Sequence, residues 1–554
     1  MKKILIALLS VSLLLSGCTA GKKEEVYEEN PEVQAAFEQF LQDEFVYYLS
    51  QNKLNAHFAV EDLSAYGLED MEVSLGDVQE QFDYTVLRTA LEKLQGIDRK
   101  GLNKKQRNLY DRYEDFLQLN LQYEGTDDWS FLFTPNSGLN NNLVTMFTEF
   151  EIRSEEDIQD IINYASQVRE YFKAAIEVTK NQYAGGFFQN DAVIEDILDS
   201  LERFISKKGK NNEIYAVLSK SIDNFDGLDT AKKEEYKSQL LKEVNQSVIP
   251  GFEDAIAFYN SVKGTATHNG AFCKWDGAKK YYEILIQDKC STTLSLEEIS
   301  SQLEEGINSI LKDVSGMLTK NPDLYEQLYT ADYGYTDAKE ILDVLNASIY
   351  DDYPEIPGVE YTVSYLDPTV VADSIAAYYL NPPMDNFKKN IIRVNPSASD
   401  LYLTLAHEGF PGHCYQNMYE LNNNYTPLLY YMNFIGYTEG WAVYAEGYSH
   451  KYSKLGNEKL GELLMMDSVL SYLLVGYIDL QVNYFGWSEE ELNEFCSDWG
   501  FDSAMIESLV IGDPGLYLPY GYGWLRMYNN RKKAEDALGK KFDAKEFNQV
   551  ILDC

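Results

Sequence analysis

The chain has 554 residues, 45% of them apolar or aromatic, with 89 acidic against 47 basic side chains and a formal net charge of −42 at pH 7. Apolar content on that scale supports a large buried core. So acidic a surface excludes a nucleic-acid binder, which works through a basic face, and favours solubility and repulsion from anionic surfaces.

The first segment combines Lys2 and Lys3, an apolar run from Ile4 to Leu15, and the small-residue ending Leu15-Ser16-Gly17-Cys18. The run is too short for a comfortable membrane span, which takes about 20 apolar residues, and reads as a signal peptide over 1–18. Its ending resembles a bacterial lipobox, which implies lipid on Cys18 and a mature protein anchored in the cell envelope, outside the cytoplasm. Residues 19–32 are polar and charged and suit a flexible tether. Beyond them no stretch reads as a membrane span, no linker is rich in Pro, Gly or Ser, and no repeat of fixed period appears. Residues 33–554 therefore read as a single large domain, with room for two lobes.

Apolar residues at three- and four-residue spacing predict helices over Val33–Gln51, Val78–Leu94, Asn103–Tyr123, Glu155–Gln182 and Asp191–Lys208. The same pattern continues over Asn212–Ala257, Ser295–Leu318 and Asp337–Asp352. Ser154-Glu155-Glu156-Asp157 and Ser295-Leu296-Glu297-Glu298 read as helix caps, with acidic first turns that complement the helix dipole. Strand signals are few, the best being Glu360–Tyr365 and Asn390–Val394. The expected fold is mainly α-helical, with a small β element just ahead of the histidine motif described next. Of the six cysteines, Cys18 is allocated to lipid. Cys273, Cys290, Cys414, Cys496 and Cys554 show no zinc-like spacing; a Cys273–Cys290 disulfide suits an exported protein, and free thiols suit it equally.

Chemistry concentrates in three segments. The chain has five histidines, two of which stand six apart in His407-Glu408-Gly409-Phe410-Pro411-Gly412-His413. Zinc sites commonly use two histidines and a carboxylate and keep one position for water, and a glutamate beside the first histidine can serve as general base. Six residues correspond to about 240° of a regular helix, so the histidines meet only if the chain turns between them. Pro411 disrupts a helix interior, and Gly412 permits the reversal. In the second segment, Tyr437 to Glu446, Glu439 and Glu446 are seven apart and share a helical face. Glu439 is the expected third ligand and Glu446 the carboxylate that orients a ligand imidazole, with exchange of the two roles open. The third segment, Gly512 to Arg526, is dense in glycine and aromatics. Tyr520 and Arg526 are its candidates for stabilising a developing oxyanion; Tyr517 and Tyr522 fit core packing as well. His57, His268 and His450 lack such surroundings and read as structural or surface residues.

These motifs, HExxPGHxxQ, TEGWAxYAE and PGxxxxYxxG in sequence, resemble the bacterial "domain of unknown function 885" proteins. Trp275 to Tyr282 is similar to that family's Gly-x-x-x-Tyr-Tyr stretch, and the resemblance runs from about Val33 to the end. It implies a zincin-like, mostly helical metallopeptidase, with one zinc per chain at His407, His413 and Glu439 and Glu408 as base. Tyr520 falls on the family's tyrosine and Gln416 on its glutamine. Cys414 stands where members often carry a second histidine. Asn483 replaces the histidine of an Asp-x-x-x-His pattern whose Asp479 is kept. Relatives usually continue past Cys554, which implies a truncated C-terminus.

The function expected from sequence is hydrolysis of short peptides, Glu408 activating zinc-bound water. Two alternatives stand beside it: a lipid-anchored peptide- or sugar-binding protein that has lost catalysis, and a zinc hydrolase of a non-peptide amide or ester. A serine hydrolase is disfavoured, since no Gly-x-Ser-x-Gly elbow occurs.

Overall fold

Asn30 begins the ordered architecture by accepting the amides of Glu32 and Val33 on its side chain, with Pro31 pre-set for the first turn of helix α1 (Pro31–Gln51). The computed structural model describes residues 27–78, 83–367, 375–399, 401–424 and 426–553. The expected signal peptide, lipidated Cys18 and most of the tether lie outside them, as does Cys554.

Helices dominate, as the periodicity predicts. Both expected caps form capping boxes: Ser154 with Asp157 opens α2 (Glu155–Ala184), followed by α3 (Asp191–Ser206). The run expected over Asn212–Ala257 is broken instead. It comprises helices Glu213–Asn224 and Thr230–Glu243, a π turn over Val244–Val248, and α4 (Ile249–Val262). Asp229 caps the second piece through Lys232 N, which marks a restart rather than a continuation. The π turn falls just before Pro250, which has no amide to offer the carbonyl four residues back. Next come α5 (Asp276–Lys289) and α6 (Leu296–Lys320), the latter opened by the Ser295–Glu298 capping box.

Among the described residues the sheet has three strands in the order β1-β3-β2: β1 (Tyr361–Tyr365), β2 (Ala377–Leu380) and β3 (Asn390–Val394). β1 runs parallel to β3, with Tyr361 opposite Asn390, and β2 runs antiparallel, with Tyr379 opposite Ile392. Of the strands, the edge strand β2 is the one the sequence does not predict. At four residues, ended by Asn381-Pro382-Pro383, it is too short to show alternation.

The C-terminal part includes α7 (Leu401–Glu408), α8 (His413–Asn424), α9 (Ile435–Ser449), α10 (Glu458–Leu480), α11 (Ser503–Gly512) and α12 (Leu518–Leu538). Two large hydrophobic clusters organise the described residues. One joins α1, α5, α6, the sheet and α7 to α10 with α12. The other joins α2, α3, α4 and α11. Helix α10 serves both, giving Leu473 and Leu474 to the first and Ile478 to the second. With its terminal π turn this helix is long and apolar enough to cross a membrane, contrary to the sequence expectation, yet 61% of its apolar window is buried inside protein. It is read here as the shared core helix.

The outlying histidines are structural in their contacts. His57 stacks on Phe150, His268 packs on Phe188 and Trp275, and His450 faces Tyr333. Cys273, Cys290, Cys414 and Cys496 are all free thiols. His450 is 7% exposed, its Nδ1 has no partner, and burial lowers its pKa from 6.5 to about 4. The folded state thus favours neutral His450. The stability this provides is present above about pH 6.5 and is lost as pH falls through about 4, on the order of 3 kcal/mol in all. His450→Gln is expected to reduce the loss of stability between pH 7 and 4, read by denaturant titration at each pH.

Candidate metal centre

The histidine motif is a helix that stops and restarts. α7 ends at Glu408 and α8 begins at His413, so the two histidines occupy facing helix ends rather than one regular helix. The connecting backbone is satisfied internally: Gly409 N donates to Leu405 O, Gly412 N to Ala406 O and Tyr415 N to Gly409 O. The Phe410–Pro411 bond is cis. Gly412 is obligatory, because a Cβ there would stand 1.8 Å from the His407 carbonyl oxygen. The buried Trp441 indole on α9 donates to the Pro411 carbonyl at 3.0 Å, fastening the glutamate helix to the turn.

This packing brings three atoms together. Glu439 Oε2 lies 3.3 Å from His407 Nε2 and 3.4 Å from His413 Nε2. The imidazole planes are nearly perpendicular, at 83° with centroids 4.8 Å apart. On the far side, His407 Nδ1 lies 3.2 Å from Glu446 Oε2. With the proton on Nδ1 shared with Glu446, Nε2 presents its lone pair towards Glu439. The two glutamates, interchangeable in sequence, are thus distinct in space.

Charge-assisted hydrogen bonds run at about 2.7–2.9 Å, as Lys53–Glu156 and Arg169–Asp254 do here at 2.8 and 2.9 Å. The Glu439 distances lie beyond that range. They match the edge of a tetrahedron, about 3.3–3.4 Å when each ligand bond is about 2.0–2.1 Å. Glu439 Oε2 is also buried without a hydrogen-bond partner, an expense a structure avoids unless another group meets the atom. The donor set of two imidazoles and a carboxylate therefore fits a zinc ion.

The electrostatics agree. Burial alone would lower the His407 pKa, but Glu439, Glu446 and Glu408 outweigh it and raise it to about 10. Glu439 is buried too, yet the two imidazoles hold it well below the usual carboxylate range. The carboxylates thus set up a negative potential that favours positive charge at this position.

Glu408 also approaches this cluster, its carboxylate lying within 4.8 Å of the ligand atoms of both histidines. Its Oε2, however, accepts the Tyr379 amide of β2 at 2.9 Å, which turns it towards the sheet edge. Tyr520, near the start of α12, lies over His407 with centroids 6.1 Å apart and planes at 16°. Burial, with Glu439 and Glu408 next to it, keeps its phenol protonated far above the ordinary range. Gln416 is buried, its amide nitrogen without a partner.

Arg526 is not brought to this cluster. Six residues beyond Tyr520, it stands about 240° round α12, with its guanidinium 5.9 Å from the Tyr522 ring centroid and its charge acting on buried Cys290. Tyr522 is itself buried, donating to Gln302, whereas Tyr517 stacks on Tyr472. Trp441 was legible only as a member of the Thr438–Glu446 motif, and Tyr379 had no sequence signal as a site residue.

A cavity of about 960 Å³ opens beside the sheet, lined in part by Phe58, Phe225, Tyr365, Tyr379, Leu380 and Arg393. Tyr379 thus belongs to its wall and to the Glu408 contact.

A family profile described as "Bacterial protein of unknown function (DUF885)" matches residues 64–554. Among solved structures, a candidate lipoprotein from Colwellia psychrerythraea superposes with a TM-score of 0.77 at 19% identity, covering 94% of this chain and 96% of that one. A candidate lipoprotein of unknown function from Shewanella oneidensis superposes with a TM-score of 0.60 at 15% identity, covering 93% and 97%. At these identities the likeness speaks for the fold alone. No curated protein matches the chain.

Proposed function

The chain belongs to the DUF885 family, and on that premise we propose that it is a zinc-dependent peptidase of the bacterial cell envelope, acting on short peptides. The observation that carries this reading is the convergence of His407 Nε2, His413 Nε2 and the otherwise unpartnered Glu439 Oε2 at 3.3 and 3.4 Å. His407, His413 and Glu439 would hold the ion, and Glu446 fixes the His407 ring. Bound there, zinc supplies Lewis-acid polarisation of the scissile carbonyl and makes water acidic enough to ionise near neutral pH.

The protein's own groups do the rest. Glu408, with one oxygen fixed by the Tyr379 amide, takes the water's proton on its free oxygen and returns it to the leaving amine. Tyr520 donates its phenolic hydrogen to the oxyanion as charge develops. β2 is an edge strand with the Tyr379 amide turned outwards to Glu408. An extended peptide laid along that edge would pass the base, and the adjoining cavity is of a size that holds a small ligand. Lipidation at Cys18 and a domain over 33–554 belong to the same proposal, supported by the lipobox resemblance and by neighbours described as candidate lipoproteins.

Elemental analysis with a quenched-peptide assay tests it. Purified wild type is expected to carry about one zinc per chain, to lose peptide hydrolysis on chelation and to regain it with added zinc. His407→Ala is expected to bind no zinc. A folded wild type that takes up no zinc would sink the reading and leave a binding protein. Zinc without cleavage of any peptide, but with cleavage of small amides or esters, would reassign the substrate.

A further inference from the structure

The segment that leads into α12, and so to Tyr520 over His407, is held by two buried carboxylates outside the histidine cluster. Asp513 is 4% exposed and receives five hydrogen bonds, from Thr134 Oγ1, Asn136 N and Nδ2, and Ser137 N and Oγ, at 2.6–3.0 Å. That anchors one end of the loop to the segment ahead of helix Leu139–Thr148. Two residues on, the Gly515 amide donates to Asp479 of α10 at 2.6 Å.

Asp479 is 2% exposed and has two further donors on its other oxygen, Tyr282 Oη at 2.5 Å and Asn483 Nδ2 at 2.9 Å. Asn483, standing in for the histidine of the family pattern, also donates to the Val510 carbonyl at 2.8 Å, so it braces α11 against the same carboxylate. All three partners of Asp479 are neutral donors. A carboxylate buried among neutral groups is costly, and burial accordingly raises its pKa to about 6. Gly515 has φ +73°, and a Cβ there would stand 2.9 Å from Ile286 Cδ1. The turn therefore requires glycine at 515, with its amide on Asp479. From it the chain enters α12, where the Gly521 amide bonds back to the Tyr517 carbonyl and Tyr472 packs against Tyr517 and Tyr520.

We propose that Asp479 is a positioning residue: through the Gly515 amide it holds the 513–517 loop and so sets the Tyr520 hydroxyl over the metal centre. This rests on the peptidase reading for its catalytic consequence, though not for the clamp itself. Asp479→Asn keeps the size of the side chain but removes an acceptor oxygen, so the Tyr282, Asn483 and Gly515 donors can no longer all be met.

Two readouts on the zinc-loaded full chain decide it. Hydrogen exchange over 513–521 is expected to be about tenfold faster or more in Asp479→Asn, with α3 unchanged. In the peptide assay, Asp479→Asn is expected to lower kcat about 10–100-fold with KM within about twofold, a part of what an oxyanion donor contributes. Combined with Tyr520→Phe it should lower kcat no further than Tyr520→Phe alone. Should Asp479→Asn fail to fold, Tyr282→Phe removes one donor and leaves the carboxylate, and the same pattern is expected at smaller amplitude. Unchanged exchange overturns the clamp whatever the activity. Faster exchange with additive kcat losses, or with no loss, overturns its link to Tyr520. A folded, zinc-loaded wild type inactive on every peptide sinks the peptidase reading, and the exchange data then decide the clamp alone.

Discussion

Glu408→Gln is expected to bind zinc as the wild type does and to hydrolyse short peptides about 10²–10⁴-fold more slowly in kcat, the usual contribution of a general base. The outcome depends on which carboxylate would meet the ion. Glu408 lies within 4.8 Å of both histidine donors, close enough to be mistaken for the third ligand. Glu439, not Glu408, supplies the oxygen at 3.3 and 3.4 Å. Glutamine at 408 keeps the volume and can still accept the Tyr379 amide through its carbonyl oxygen, but it cannot carry a proton from water to amine. Glu439→Gln should do the reverse, weakening zinc retention while Glu408 stays in place. Elemental analysis and kcat on the two variants separate the roles. Zinc lost from Glu408→Gln but kept in Glu439→Gln would exchange the assignments.

Much of the centre was legible because its signals are local. Six residues between histidines with Pro411 and Gly412 inside the gap demanded a turn, and the helix does break between Glu408 and His413. The seven-residue spacing of Glu439 and Glu446 placed both on one face. Which of them faces the Nε2 atoms depends on how α9 is rotated against α7 and α8, a tertiary matter fixed partly by the Trp441 bond to Pro411. Arg526 illustrates the opposite error. A guanidinium in this segment suits an oxyanion, but helical rotation carries Arg526 round to Tyr522. β2 escaped because four residues give no period to read, although its Tyr379 amide touches the proposed base. Helices such as Asp276–Lys289 and Glu458–Leu480 carried no expectation, while the long runs between 33 and 352 were legible. The breaks within 212–257 were not, since Gly227, Asp229 and Pro250 interrupt an apolar rhythm that itself continues.

Gly440, beside the ligand candidate Glu439, carries a second constraint, and a large change in stability is expected from it. Gly440→Ala is expected to destabilise the fold by about 3 kcal/mol, the upper end of the usual cost of overpacking, and to weaken zinc retention with it. A Cβ at 440 would stand 2.5 Å from the Gly523 carbonyl carbon, and one at 523 would stand 2.3 Å from the Gly436 carbonyl oxygen. Both obstacles are backbone, so no rotamer change relieves them, and α9 and α12 would have to move apart. Those helices carry Glu439 and Tyr520, so separation displaces a proposed ligand and the proposed oxyanion donor together. Gly316 of α6 is the contrasting case: nothing lies within 4 Å of a Cβ there. Gly316→Ala should stabilise by about 0.5–1 kcal/mol, because alanine restricts the unfolded chain and favours helix. Denaturant midpoints measured side by side, with bound zinc counted on each folded variant, check both signs. A Gly440→Ala protein as stable as wild type would mean that the α9–α12 crossing is looser than these contacts imply, and the coupling of that crossing to the metal centre would fall with it.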